Sequence, residues 1–347
     1  MKATEDNPAD PSLWENDIAV HHFVNLFGCG PAGPFPVFEN LNLKQRAHFF
    51  FVSFAAFCKT LLSNPWKIIM KTIALMGLGL MGSSLGLALK KRGADVNIHA
   101  YARRAETRDA ALALGAADAV FSDPSEAVKD ADLIVFCVPI LTIPELAKAC
   151  LSGLKRGAIL TDVGSTKAEL SVSMGELLAG TGAVFVGSHP ICGSERQGIM
   201  AGNAELYEGA LTVVTPTANV VEEAVCEVSN LWENAGSTIR VMTPKVHDEI
   251  LAATSHLPHV IATALVGCVN DGLFCGTGFR DTTRIADGSP EVWSDVVRTN
   301  APALKAALKT FRKRLDEVDA LVEAGDGEKL TEWFTAARDH RKDLLSE

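Results

Sequence analysis

The sequence lacks three things that would each point elsewhere: an excess of positive charge, paired cysteines and a secretory leader. Lysine and arginine number 32 against 42 aspartates and glutamates, a formal net charge of −10 in 347 residues. A general polyanion binder carries the opposite balance, so nucleic acid is not an expected partner. An anionic small molecule stays open, because one site needs only a few local cations. The eight cysteines, at 29, 58, 137, 150, 192, 226, 268 and 275, include no CxxC spacing. That argues for reduced thiols in a cytoplasm, and Cys137, inside an apolar strand pattern, reads as core. The chain opens Met1-Lys2-Ala3-Thr4-Glu5-Asp6 rather than with a basic n-region. The nearly unbroken apolar run from Ala47 to Cys58 is shorter than the ~20 residues of a membrane helix, and no membrane span is expected.

What is present fits a globular protein of two domains. The hydrophobic fraction is 48% and the charged fraction 21%. Residues 1–69 stand apart, holding nine of the 16 phenylalanines. They read as a poorly ordered extension, because Met70-Lys71-Thr72 just ahead of the first strand pattern has the look of a natural start.

The stretch Ile73-Ala74-Leu75-Met76 runs into Gly77-x-Gly79-x-x-Gly82, and an apolar-periodic helix pattern follows. Strand, tight turn and helix N-terminus in that order form a dinucleotide-binding signature. The first glycine permits the turn, the second admits a pyrophosphate to the backbone, and the third lets helix and strand pack closely. Free N–H groups at the helix start then face the phosphates. The bland alternative is a structural glycine turn. Gly77, Leu78, Gly79, Leu80, Met81 and Gly82 are the expected cofactor-binding residues, together with Val138 at the end of a later strand.

From there strand patterns at 72–76, 96–101, 132–138, 158–163 and 183–187 alternate with helical patterns at 82–92, 105–113, 142–153 and 167–179. The run Leu133 to Val138 is apolar on both faces, as in a buried parallel strand. This predicts a Rossmann-type doubly wound sheet over 70–243, with ligands at the carboxyl ends of its strands. A strand over 210–215, a helix over 220–235 and an edge strand over 238–242 complete it. Beyond Lys245 helical patterns take over, at 244–271, 290–300, 301–324 and Glu328–Leu345, with loops at 272–278 and 285–289. Residues 244–347 therefore read as an all-helical second domain.

The second strand ends His99-Ala100-Tyr101-Ala102-Arg103-Arg104, with no carboxylate to receive a ribose 2′-hydroxyl; Asp95 comes too early. Arg103 and Arg104 would instead hold a 2′-phosphate, which favours NADP over NAD. Alternatively, they simply open a solvated helix.

Three polar clusters remain: Thr161 to Lys167, Gly187 to Glu195, and a split set formed by Ser255 to His259, Gly278 to Arg284 and Trp293. Each has a dull explanation. His189 ahead of a proline can cap a loop. His256 and His259 at i, i+3 lack a third metal ligand, so no metal is expected. Asp281 and Arg284 can be an ordinary helix ion pair. Cys192 beside the His189 cluster hints at thiol catalysis, but a hydride-transfer enzyme needs no nucleophile.

Taken together, GLGLMG, DVGSTK, SHPICGSE, SHLPH, GFRDTTRIA and Trp293 resemble the prephenate/arogenate dehydrogenases of tyrosine biosynthesis, in the same order over roughly 70–345. The resemblance implies a Rossmann domain joined to a helical domain through which the protein forms homodimers. It implies oxidative decarboxylation of prephenate to 4-hydroxyphenylpyruvate, or of arogenate to tyrosine. His189 would be the base that takes the hydroxyl proton, and Ser165 would bond the same hydroxyl. Arg284 would bind a substrate carboxylate, Asp281 would pair with Arg284, and His259 would contact the substrate side chain. Ser194 and Glu195 would line or gate the pocket and Trp293 would form an apolar wall. Two other readings stay open: a β-hydroxyacid dehydrogenase or imine reductase using Lys245, and a non-catalytic dinucleotide sensor.

Overall fold

A computed structural model describes residues 71–194 and 196–346. The extension at 1–69 and Glu195 lie outside the described residues.

Five short hydrophobic strands and one two-residue strand build the main sheet: β1 (Thr72–Met76), β2 (Asn97–Tyr101), β3 (Ala119–Phe121), β4 (Leu133–Phe136), β5 (Ile159–Asp162) and β6 (Val184–Phe185). All pairings are parallel and the order is β3-β2-β1-β4-β5-β6. This is the doubly wound order of dinucleotide-binding folds, and the strand order reverses between β1 and β4. Every residue of β4 is buried, because helices cover both faces of a parallel sheet. Ile134 and Phe136 pack with Ala74, Met76, Leu160, Leu170 and Met174 on one face.

The crossover helices are α1 (Leu80–Lys91), α2 (Ala105–Leu114), α3 (Pro124–Ala127), α4 (Ile143–Cys150) and α5 (Ala168–Leu178). The short pair β3 and α3 has too little periodicity to be read from the sequence. Gly115 ends α2 in the left-handed conformation with φ 71°, where a side chain would be strained.

The strand expected at 183–187 is two strands in two sheets. Gly187–Pro190 forms β7, which pairs antiparallel with β8 (Leu211–Thr215), and β8 pairs parallel with β9 (Thr238–Val241). His189 therefore sits within a strand rather than in a loop after one. Helix α6 (Glu222–Ala235) packs behind β8 and β9. Its Trp232 is fully buried and donates its indole N–H to Ser188 Oγ at 2.9 Å.

The helical part comprises α7 (Pro244–Leu251), α8 (Leu257–Val266), α9 (Thr277–Thr283), α10 (Pro290–Thr299), α11 (Ala301–Ala324) and α12 (Gly327–Leu345). One continuous helix was expected over 244–271. Instead a π turn at Ala252–His256 separates α7 from α8. Pro258 has no N–H to continue the regular ladder, and the extra residue is accommodated in the turn before it. The loop expected over 272–278 and the cluster after it hold a 3₁₀ turn, Gly272–Phe274, then α9 and a second 3₁₀ turn, Arg284–Asp287. Ser289 caps α10 by accepting from Val292 N–H at 3.4 Å, and Gly325 ends α11 at φ 65°.

Among the described residues, the run Pro244–Val266 is long and apolar enough to cross a membrane by length and composition. It carries buried His247, Asp248, His256 and His259, and α11 packs against both of its helices and the π turn.

Candidate active site

The glycine turn has the geometry its spacing predicts. Gly77 stands at φ +111°, a region closed to most side chains, and a Cβ there would fall 2.6 Å from Val138 Cγ1. A Cβ on Gly82 would fall 2.0 Å from the Gly77 carbonyl oxygen, so helix and turn touch backbone to backbone. Around Gly79 the space is open for 4 Å. Helix α1 begins at Leu80, two residues earlier than the periodicity implies, because Gly79 serves as its cap residue. Leu80, Met81 and Gly82 thus form its first turn, whose N–H groups face forward. Buried Tyr207 donates to the Met81 carbonyl at 2.7 Å and anchors that turn from outside. An open space flanked by a close-packed glycine turn and a helix N-terminus suits a dinucleotide pyrophosphate.

Arg103 and Arg104 follow the end of β2 and are exposed. Arg108 fixes the backbone beneath them, donating to the carbonyls of Ala102 at 3.1 Å and Arg103 at 2.9 Å.

Beside the ends of β4 and β5 lies a cluster of buried polar side chains. Lys167 and Asp162 form an ion pair with neither side chain exposed. Lys167 Nζ also donates to the Ser188 carbonyl at 2.8 Å. Asp162 accepts from the Ser188 N–H at 3.2 Å and the Gly164 N–H at 2.8 Å. Burial lowers the Lys167 pKa against the opposing pull of Asp162. Such a pair is costly to break and weak as a source of net stability. Here it clamps β7 to the loop that follows β5.

That clamp presents His189. Its ring is buried, and Nδ1 lies 2.9 Å from Nε2 of His247 on α7. His247 Nδ1 lies 2.8 Å from Asp248 Oδ1. Asp248 in turn accepts the main-chain N–H of Lys167 and of Ala168, each at 2.8 Å, and so caps the start of α5. Burial, reinforced by nearby His247, Lys167 and His256, holds the His189 pKa well below its ordinary value. The ring is therefore neutral near neutral pH, the protonation state a proton-accepting base must have. Ser165 lies half-buried on the same loop, two residues ahead of Lys167. Thr166 next to it shares a 2.7 Å hydrogen bond with Thr299 at the end of α10.

The helical residues gather around Trp293. His259 stacks on the Trp293 ring with centroids 3.5 Å apart and planes 15° from parallel, and His256 meets its edge at 6.2 Å. A Cβ on Gly288 would fall 2.6 Å from Trp293 Nε1 and 3.1 Å from His259 Cε1, so the turn Arg284–Asp287 lies against this wall. Burial pushes His256 down to about 4, with Asp248 opposing, and lowers His259 as well. Asn300 donates to His256 Nδ1 at 3.1 Å and to the Asp248 carbonyl at 2.8 Å. Hydrogen bonds thus run from His189 through His247, Asp248 and Asn300 to His256, which meets the edge of Trp293.

Three other predicted site residues sit in solvent. Arg284, Asp281 and Ser194 are exposed. Among the described residues no ion pair joins Asp281 to Arg284, in contrast to the expected pairing. An exposed i, i+3 pair gains only a few tenths of a kcal/mol, too little to hold two mobile side chains together. Ser194 Oγ accepts from the Arg196 N–H at 3.2 Å. Lys245, the lysine of the alternative dehydrogenase reading, is 81% exposed and, among the described residues, forms an ion pair only with Glu249. Cys192 is a poor nucleophile, since burial pushes its thiol up to about 11. Among the described residues no cluster of three or more His, Cys, Asp or Glu could hold a metal ion.

The sequence reading missed His247, Asp248 and Asn300. The sequence shows them only as a His-Asp pair and an Asn within helical patterns, which does not tell whether they face water or a partner.

The family model described as the nucleotide-binding domain of prephenate dehydrogenase matches residues 85–241, and that described as its dimerization domain matches 243–336. A cyclohexadienyl dehydrogenase of Zymomonas mobilis is 35% identical, over 80% of this chain and 98% of its own. The crystal structure of prephenate dehydrogenase from Aquifex aeolicus, in complex with hydroxyphenyl propionate and NAD+, superposes with a TM-score of 0.74 at 30% identity. It covers 80% of this chain and 99% of its own. The Synechocystis arogenate dehydrogenase structure gives a TM-score of 0.70 at 29% identity, over 79% of this chain and all of the other. With the glycine turn, the neutral His189 and matches on both sides of residue 243, the chain belongs to the prephenate dehydrogenase family.

Proposed function

We propose that this protein oxidises prephenate to 4-hydroxyphenylpyruvate, or arogenate to tyrosine, with loss of carbon dioxide and transfer of hydride to NADP in preference to NAD. The observation that carries the reading is His189, a buried neutral imidazole on β7 of the dinucleotide-binding half, hydrogen-bonded to His247 of the helical half.

A bound nicotinamide cofactor would supply the acceptor for the hydride of the ring carbon bearing the hydroxyl. His189 accepts the hydroxyl proton as carbonyl character grows. The ring carboxylate departs as carbon dioxide, and aromatisation supplies the driving force. Ser165 donates to the same hydroxyl and orients it towards His189. Arg284 binds a carboxylate through its planar fork, and Asp281, close by on α9, adjusts the aim of that guanidinium once substrate arrives. His259 contacts the substrate side chain, while Ser194 and Glu195 border the entrance. Trp293 forms an apolar wall that excludes water. Gly77 to Gly82 and Val138 cradle the cofactor, and exposed Arg103 and Arg104 offer charge-assisted bonds to a 2′-phosphate.

We divide the chain into a dinucleotide-binding domain at 70–243 and a helical domain at 244–347 that pairs with a second copy. The matched dimerization domain supports this. So do the apolar side chains left exposed on the helices, among them Ile250, Val266, Val322 and Phe334. A membrane span at Pro244–Val266 would put His247 and Asp248 in hydrocarbon; instead both bond to the dinucleotide-binding half.

The test is a four-way assay, prephenate and arogenate each against NAD and NADP, run on wild type and His189→Asn. Turnover of either substrate with higher kcat/KM for NADP is expected, and the variant should lose about 10²–10⁴-fold in kcat while binding cofactor normally. No turnover of either substrate ends the proposal, strong NAD preference ends its cofactor part, and a near-normal variant removes His189 as base.

A further inference from the structure

Nothing in the reaction itself determines which nitrogen of His189 holds its hydrogen, yet only one arrangement leaves a base. The hydrogen-bond chain behind the ring decides it. Asp248 accepts N–H bonds from Lys167 and Ala168 at 2.8 Å each. Its carboxylate has only lone pairs to offer, so the hydrogen in the 2.8 Å contact with His247 belongs to His247 Nδ1. A neutral imidazole has one N–H. Burial keeps His247 neutral, because it outweighs the stabilising pull of Asp248 on the charged form. His247 Nε2 is then a bare acceptor, and the hydrogen of the 2.9 Å contact belongs to His189 Nδ1. Nε2 of His189 is left with its lone pair.

We propose that His247 and Asp248 are positioning residues that lock His189 in the tautomer with a hydrogen on Nδ1 and a bare, proton-accepting Nε2. The inference rests on the reading of His189 as the base. When Nε2 takes the substrate proton, the resulting imidazolium donates from Nδ1 to His247 Nε2, and the His247 dipole is aligned towards the Asp248 carboxylate. No proton need leave His189 during the step. The chain also links the two halves of the molecule. Asp248 lies on α7 yet caps α5, directly after the loop that carries Ser165. Asn300 holds the Asp248 main chain by donating to its carbonyl at 2.8 Å. One carboxylate therefore sets both the tautomer of the base and the placement of the loop beside it.

A purely structural role for Asp248 as a helix cap is the competing account, and three variants separate the two. Asp248→Asn keeps an oxygen for the cap but can present an amide N–H to His247 Nδ1. That turns His247 around and pushes the hydrogen of His189 to Nε2. By analogy with an aspartate-to-asparagine change behind a catalytic histidine, kcat should fall by roughly 10²–10⁴-fold. His247→Leu removes the acceptor without touching the cap, and should lower kcat by about 10²-fold with both KM values within a few-fold. His247→Gln supplies an amide oxygen to the same hydrogen and should recover most of that loss. Nitrogen-15 NMR of the histidines in the free protein reads the tautomer without any turnover. His189 should show a protonated Nδ1 and a bare Nε2 in wild type, and a mixture in His247→Leu.

Wild-type His189 with its hydrogen on Nε2, or a folded His247→Leu with kcat within twofold of wild type, overturns the proposal. A His247→Gln variant no better than His247→Leu overturns it too. If wild type turns over neither prephenate nor arogenate while the NMR pattern is as expected, the functional reading fails and the tautomer assignment stands.

Discussion

At the scale of single residues, the candidate site divides into groups fixed before substrate arrives and groups left free. His189, His247, Asp248, His256 and Asn300 are buried and mutually bonded, so their geometry costs nothing further at the moment of reaction. Arg284 is exposed and unpaired among the described residues. In the proposed role such a guanidinium contributes through binding rather than through the chemical step. Arg284→Ala is therefore expected to raise substrate KM by about 10–100-fold, the loss of a charge-assisted bond of ~1.5–3 kcal/mol, with kcat changed far less. Steady-state kinetics on the variant checks this. An unchanged KM would mean that another cation holds the carboxylate. His189, Ser165, Arg284 and Trp293 were singled out in the sequence only through their neighbours in short motifs. His247 and Asp248 were not, because a His-Asp pair in an amphipathic helix looks the same whether it faces water or another histidine.

Among the elements, the turn between β1 and α1 was the most legible, since its three glycines answer to three separate steric demands. The structure ranks them. A Cβ on Gly82 would collide with the Gly77 carbonyl oxygen at 2.0 Å, whereas one on Gly79 would meet nothing within 4 Å. Gly82→Ala should thus cost stability by ~1–3 kcal/mol, as overpacking does, and weaken cofactor binding. Gly79→Ala should leave Tm unchanged and weaken cofactor binding alone, because its methyl occupies space open to the pyrophosphate. Thermal unfolding paired with cofactor titration distinguishes the two, and equal Tm losses would contradict the packing argument. The π turn at Ala252–His256 was less legible. Pro258 signals a break, but not whether the helix ends, kinks or takes in a residue. The extra residue falls between His247 and His259. The change of sheet between β6 and β7, where one strand was expected over 183–187, escaped the sequence for a similar reason: a strand pattern does not reveal that the chain changes sheets.

For the molecule as a whole, the buried histidines make the junction sensitive to acid. His189, His247, His256 and His259 all sit below the ordinary histidine value of 6.5, first through burial, with His256 at about 4. The unfolded chain protonates these rings as pH falls through 6.5, while the fold keeps them neutral. Protons then favour the unfolded state, so their contribution to stability is complete above about pH 7 and declines from 6.5 towards 4. Glu227 on α6 opposes this. Burial raises its carboxyl to about 7, so its cost is greatest above pH 7 and is relieved as pH falls towards its unfolded value of 4.5. Tm should therefore fall between pH 7 and pH 5, and Glu227→Gln should steepen that fall while raising Tm at pH 8. A flat profile from pH 7 to pH 5, or a variant with a shallower one, would contradict this account.

The sequence by itself determined the doubly wound fold, the position of the dinucleotide turn, the helical second part and the family. Each rests on local periodicity or on short motifs whose steric logic is complete within a few residues. Only the tertiary structure decided that α7 from the helical part caps α5 of the dinucleotide-binding part, that His247 and Asp248 stand behind His189, and that Trp293 stacks on His259. Those pairings join residues about 30 to 80 positions apart. Their energy comes from burial and hydrogen bonding that exist only once the two halves of the chain have packed together, and nothing in the spacing of residues along the chain encodes that event.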